Sequence, residues 1–120
     1  MIKLYSYKNC DTCRKAKKHL NEIGIAFTEH PIRDTPPSVK ELAFVYKGMN
    51  NNMTRLFNTS GVDYRKLNIK DTLPHLTVDE QLNLLHSNGN LIKRPVLITE
   101  KVGISGYNRE YWESAFTDSK

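Results

Sequence analysis

Both cysteines of the chain, Cys10 and Cys13, fall where the hydrophobic pattern changes period. Before them, Ile2 and Leu4 alternate with Lys3 and Tyr5, which predicts a strand over residues 2–7. From Asp11 onward, Cys13, Ala16, Leu20 and Ile23 recur at intervals of three and four, with Arg14, Lys15, Lys18 and Asn21 elsewhere, which predicts an amphipathic helix. A strand that ends in C-x-x-C and opens a helix is the sequence form of a redox-active thiol pair. The first sulfur sits where unpaired backbone N–H groups and the positive end of the helix dipole favour a thiolate. The second lies one turn further on the same face, within reach of the first. Cys10 is therefore the candidate nucleophile and Cys13 the candidate resolving thiol. The competing account is a pair of small buried hydrophobes that happen to be neighbours.

Charge supports the redox account. The net charge of +5 is concentrated in residues 1–18, where Lys3, Lys8, Arg14, Lys15, Lys17 and Lys18 face the single acid Asp11. The other residues carry 12 basic and 12 acidic groups and balance. A basic setting favours a thiolate and attracts anionic substrates or an acidic protein partner. One short basic patch without interleaved aromatics gives no reason to expect nucleic-acid binding. Structural zinc needs four ligands, and no two of His19, His30, His75 and His86 lie three to five residues apart, so no metal is expected.

The rest of the chain supplies the frame. Gly24 ends the first helix and Ile25–His30 reads as a second strand stopped by Pro31, completing a βαβ unit with parallel strands. Thr35-Pro36-Pro37 breaks the chain, and Ser38…Glu41 and Thr77…Glu80 fit capping boxes that open helices. The first of these helices places Val39, Leu42, Ala43, Val45 and Tyr46 inward, and the second Val78, Leu82, Leu84 and Leu85. Between them lie shorter helical pieces around Met53–Phe57 and Tyr64–Leu67, so residues 36–88 form a helical block. Leu91–Thr99 reads as a third strand and 101–104 as its hairpin partner, turning near Glu100. Asn108 caps a last helix with an aromatic face of Tyr111, Trp112 and Phe116, and the tail 118–120 is expected to fray.

The expected fold is α/β: a single domain of 120 residues with a thioredoxin-like βαβ…ββα core (1–32 and 90–118) and a helical insertion (36–88). In such a fold the proline of Arg94-Pro95 opens the third strand beside the thiols, and Arg94 directs a permanently charged group toward Cys10 or a bound oxyanion. The alternative for Arg94 is a surface arginine at a strand end. No window is long and apolar enough to span a membrane, and no apolar run with a cleavage site opens the chain, so a cytoplasmic setting is expected.

Cys10-Asp11-Thr12-Cys13-Arg14-Lys15-Ala16, the helical block, Leu91–Leu97 and Gly106-Tyr107-Asn108 together resemble the ArsC/Spx/MgsR family across nearly the whole chain. That family includes glutathione- and glutaredoxin-dependent arsenate reductases, Spx redox-sensing transcriptional regulators and uncharacterised thiol-redox relatives. Arg14, about one turn from Cys10, adds positive charge and Pro95 supports the site from the start of the third strand, while the resemblance implies Cys10 as the reactive cysteine and Arg94 as the anion-contacting arginine. It implies no bound cofactor, a thiol or disulfide substrate, and a low-molecular-weight thiol, thioredoxin or glutaredoxin as reductant. Arsenate reductases of this type place three arginines around the cysteine; here the other two positions fall on Asn58 and Gly106. Spx proteins reach the RNA polymerase α-subunit through a glycine and an arginine whose positions fall on Asn52 and Ser60. The resemblance is therefore nearest to the uncharacterised thiol-redox branch, with an Spx-like switch and a true arsenate reductase as alternatives.

Overall fold

A computed structural model describes residues 2–117. Four strands, β1 (Lys3–Ser6), β2 (Thr28–Pro31), β3 (Val96–Ile98) and β4 (Gly103–Ser105), form one sheet in the order β2-β1-β3-β4. β1 and β2 are parallel, while β3 runs antiparallel to both β1 and β4. Helix α1 (Asp11–Glu22) makes the crossover between the parallel strands, and α6 (Arg109–Thr117) follows β4. This is the expected thioredoxin-like arrangement. Between β2 and β3 stand α2 (Val39–Gly48), α3 (Val62–Lys66), α4 (Ile69–Thr72) and α5 (Val78–Ser87), linked in part by 3-10 turns at Met53–Leu56 and Leu73–His75. The tail 118–120, expected to fray, lies outside the described residues.

The alternation in β1 assigns its two faces. Leu4 and Ser6 look toward α1: Ser6 donates to Glu29 of β2, whose carboxylate also pairs with Lys17 of α1 at 3.1 Å. Lys3 and Tyr5 look the other way, where both bond Glu41 of α2. One helix layer holds α1 and α6, joined by His19 stacking on Trp112. The other holds α2 against β3 and β4, with α5 behind it. The inserted block thus provides one of the two layers that cover the sheet, and a single apolar cluster joins Leu4, Leu20 and Leu97 of the core to Leu42, Val45 and Leu85 of the insertion. Helix α2 meets β4 backbone to backbone. A Cβ on Gly48 would lie 1.8 Å from the carbonyl oxygen of Gly103.

Several boundaries move, each for a local reason. The third strand begins at Val96, five residues later than expected from Leu91. Pro95 has no N–H for a ladder, and the preceding segment bonds to the insertion instead: Lys93 N–H donates to Leu56 O at 2.9 Å and Asn58 N–H to Leu91 O at 2.8 Å. β2 begins at Thr28 because the N–H of Ile25 donates to Leu20 O, closing the end of α1. Ile23, expected inward, is 42 % exposed as the residue that ends α1, and the buried place on that face belongs to His19. In α2 and α5 only Leu42, Val45, Leu82 and Leu85 are fully buried, and Val78 is exposed. Both capping boxes form, and Asn108 Oδ1 accepts from the N–H of Tyr111.

Glu41 is the polar tie between sheet and insertion. Its carboxylate accepts from the Ser38 N–H (3.0 Å), the buried Tyr5 hydroxyl (2.8 Å) and the Lys3 ammonium (3.1 Å). Burial pushes this carboxyl up, but those three donors outweigh it and hold it below the usual carboxylate value. A group with a lowered native value stabilises above its unfolded value and loses that contribution as pH falls through the native one. Glu41→Gln is expected to cost about 2 kcal/mol at neutral pH, counting a weakened cap and a poorly satisfied tyrosine. Denaturant midpoints of wild type and Glu41→Gln should converge as pH falls below about 4; a gap that stays constant with pH would contradict this account.

Candidate functional site

The site is assembled at the end of β1. The chain leaves the strand at Ser6 and passes Tyr7, Lys8 and Asn9 before entering α1 at Asp11. Cys10 is the N-cap, with extended backbone (φ −118°, ψ 114°), and its Sγ accepts from the Cys13 N–H at 3.2 Å. It is half-buried, whereas Cys13 is 1 % exposed. Burial and a hydrogen bond with the Cys10 sulfur push the Cys13 thiol up to about 12, against the opposing effects of the Tyr7 backbone and the Arg94 charge. The two sulfurs are thus unequal: one accessible and held by a helix N-terminus, the other buried and keeping its proton at neutral pH.

Arg94 and Pro95 come from the segment before β3, and the bond between them is cis. Arg94 is half-buried, with its guanidinium carbon 4.9 Å from the centroid of the Tyr7 ring. Arg14 is turned away into the loop. Its guanidinium pairs with Asp11 and donates to the Lys8 carbonyl at 3.1 Å, so it fastens the turn into α1. Lys17 and Lys3 are also paired, with Glu29 and Glu41. Much of the amino-terminal positive charge is therefore engaged in ion pairs.

A second arginine, one that the sequence does not single out, stands beside Tyr7. Arg33 follows β2, and its guanidinium carbon also lies 4.9 Å from the Tyr7 centroid, while Nη1 donates to the Tyr7 hydroxyl at 2.8 Å. Asn9 and Arg33 together hold the Tyr7 hydroxyl below its ordinary value. Parallel pairing sets Ser6 opposite Pro31, so the chain beyond β2 leaves the sheet at the same end as Tyr7 and brings Arg33 to it. Arg33, Arg94, Asn58, Ser60, Asp63 and Asn90 surround a cavity of about 400 Å³. A larger groove of about 740 Å³ runs between Arg55, Phe57, Lys93, Gly106 and Tyr111 and is lined by neither cysteine nor by Arg94. Gly106, at φ +77°, faces the Lys93 side chain there. Asn58 lines the cavity with Arg94, and Gly106 lines the other groove.

Buried His19 was not foreseen either. Its Nδ1 shares a hydrogen bond with the Tyr107 hydroxyl at 2.9 Å, and its Nε2 lies 3.7 Å from Glu113. It ties α1 to α6 behind the thiols. Among the described residues no group of three or more histidine, cysteine or acidic side chains could hold a metal, and no helix is long and apolar enough to cross a membrane.

Inequality of the two thiols has a direct readout. Brief treatment with iodoacetamide at neutral pH should alkylate Cys10 at least about 10-fold faster than Cys13, and Cys13 should stay slow in Cys10→Ser because burial dominates its protection. Peptide mass spectrometry distinguishes the sites; equal labelling would remove the division of roles.

Known proteins share this scaffold. The model of the ArsC family matches residues 5–115. The uncharacterized protein YusI of Bacillus subtilis is 45% identical over 113 residues, spanning 93% of this chain and 95% of its own. The global transcriptional regulator Spx of Streptococcus mutans is 31% identical over 110 residues, covering 92% of this chain and 79% of its own. Among solved structures, a possible arsenate reductase from Streptococcus mutans superposes with a TM-score of 0.87 at 37% identity, over 97% of this chain and 98% of the other.

Proposed function

The chain belongs to the ArsC family, and we propose that within it this protein works as a cytoplasmic thiol–disulfide oxidoreductase. The observation that carries the reading is the inequality of Cys10 and Cys13 across one helix turn. Cys10, as thiolate, attacks one sulfur of a disulfide; a new S–S bond forms to Cys10 and the other substrate sulfur leaves as a thiolate that takes a proton. Cys13 then gives up its proton and attacks Cys10, forming the Cys10–Cys13 disulfide and releasing the second substrate thiol. The protein loses two electrons and the substrate gains them. Two equivalents of a low-molecular-weight thiol, or one dithiol protein such as thioredoxin or glutaredoxin, restore the reduced pair.

The inequality also times the second step. Part of what keeps the proton on Cys13 is its hydrogen bond and electrostatic contact with the Cys10 sulfur. Formation of the mixed disulfide takes away that contact with a Cys10 thiol or thiolate while burial, the larger influence, persists, and Arg94 and the Tyr7 backbone remain as the favourable neighbours of a Cys13 thiolate. Arsenate reduction draws less support, because the positions that the resemblance assigns to two further arginines hold Asn58 and Gly106.

Reduction of a model disulfide by catalytic protein with excess dithiol tests the reading. Cys10→Ser should abolish turnover, and Cys13→Ser, mixed with the disulfide in the absence of added thiol, should stop at a protein–substrate mixed disulfide, visible as a mass increase of the intact protein. Turnover unchanged in Cys10→Ser would defeat it. Identity with Spx favours a second reading, a redox switch acting through the RNA polymerase α-subunit. Pull-down with the polymerase in both redox states tests that: binding in one state alone supports it, and binding in neither removes it.

A further inference from the structure

Arg33 and Arg94 arrive at Tyr7 from different strands, and nothing in the exchange chemistry needs two guanidiniums there. Arg33 follows β2 and Arg94 precedes β3, yet each has its guanidinium carbon 4.9 Å from the same aromatic centroid. Attraction to the ring face and the 2.8 Å bond from Arg33 to the Tyr7 hydroxyl offset part of their mutual repulsion. They line one cavity of about 400 Å³, large enough for a molecule of amino-acid size. Guanidinium forks are suited to carboxylate oxygens.

The same cavity holds one opposite charge. Asp63 Oδ2 accepts from Asn88 Nδ2 at 3.0 Å and from Asn90 Nδ2 at 3.2 Å, and these amides keep the carboxyl below its usual range. Asp63 is thus fixed as an anion among neutral donors, within the field of Arg33. Asn58 and Ser60 add neutral polar groups to the wall. Two cations and one anion make a poor seat for a simple oxyanion, whose charge the carboxylate would oppose. They match a zwitterion, with a carboxylate toward the arginines and an ammonium toward Asp63.

Neither cysteine lines the cavity, and its link to the thiols runs through Tyr7 and Arg94. Tyr7, whose side chain carries both arginines, bonds Cys13 through its backbone, and Arg94 acts on the Cys13 sulfur electrostatically. We propose that the Arg33–Arg94–Asp63 cavity is the headgroup site of a small disulfide bearing an α-amino acid, which it holds while Cys10 attacks the sulfur. This rests on the exchange reading above and uses its electron balance: the disulfide gains two electrons, and the Cys10–Cys13 pair supplies them.

The test is single-turnover reduction by fully reduced protein, free of added thiol, with four disulfides of similar size: cystine, cystamine, dithiodipropionate and hydroxyethyl disulfide. Cystine should react about 10-fold or more faster than the neutral hydroxyethyl disulfide, the worth of one charge-assisted hydrogen bond. Arg33→Gln should slow cystine and dithiodipropionate by about 10-fold while leaving cystamine and hydroxyethyl disulfide unchanged. Asp63→Asn should slow cystine and spare dithiodipropionate. Equal rates with all four, or an Arg33→Gln loss shared equally by all four, overturns the headgroup site while leaving exchange intact. No reaction with any of them overturns the exchange reading and the site with it.

Discussion

Parallel pairing of β1 and β2 is the constraint from which the site follows. Two strands running the same way present their carboxyl ends together, and the register sets Ser6 opposite Pro31. The chain beyond Ser6 becomes Tyr7, the loop and the helix N-terminus with Cys10; the chain beyond Pro31 becomes Arg33. A parallel pair also demands a long crossover, and that crossover is α1, whose first turn cradles the Cys10 sulfur. Nucleophile, resolving thiol, aromatic platform and one guanidinium are thus consequences of one pairing, and β3 adds Arg94 from the opposite direction.

Charge at this end of the molecule is divided between structure and chemistry. Arg14, Lys17 and Lys3 each close an ion pair, with Asp11, Glu29 and Glu41; the first lies within the opening turn of α1, and the other two each fasten separate elements. The guanidiniums of Arg33 and Arg94 instead lie against an aromatic ring, which leaves their outer edges available to a solute. Basic composition alone does not separate these roles. Partner geometry does.

Much of this was legible in the chain itself. The change of period at Cys10, the two capping boxes, Asn108 and the position of Arg94-Pro95 carry local signals, and each forms as the local chemistry dictates. What escaped was non-local. Residues 91–93 look like strand but bond to Leu56 and Asn58, a choice made by the insertion and invisible in their own composition. His19 reads as a polar residue on a helix, yet Tyr107 and Trp112, some 90 residues later, give it a buried place. Arg33 looks like an ordinary loop arginine until the parallel register is drawn and Tyr7 is found beside it.

The close approach of Gly48 to Gly103 bears on how the molecule is made. Helix α2 cannot take its seat until β4 exists, because the wall it leans on is the backbone of residues synthesised more than 50 positions later. β1, α1 and β2 can pair as soon as they emerge, but the segment carrying Arg94 and the strand that supports α2 belong to the last quarter of the chain. A growing polypeptide therefore presents its cysteine pair before the guanidinium and the second helical layer that will surround it. For that interval on the ribosome, Cys10 and Cys13 lack the shelter that the finished fold gives them.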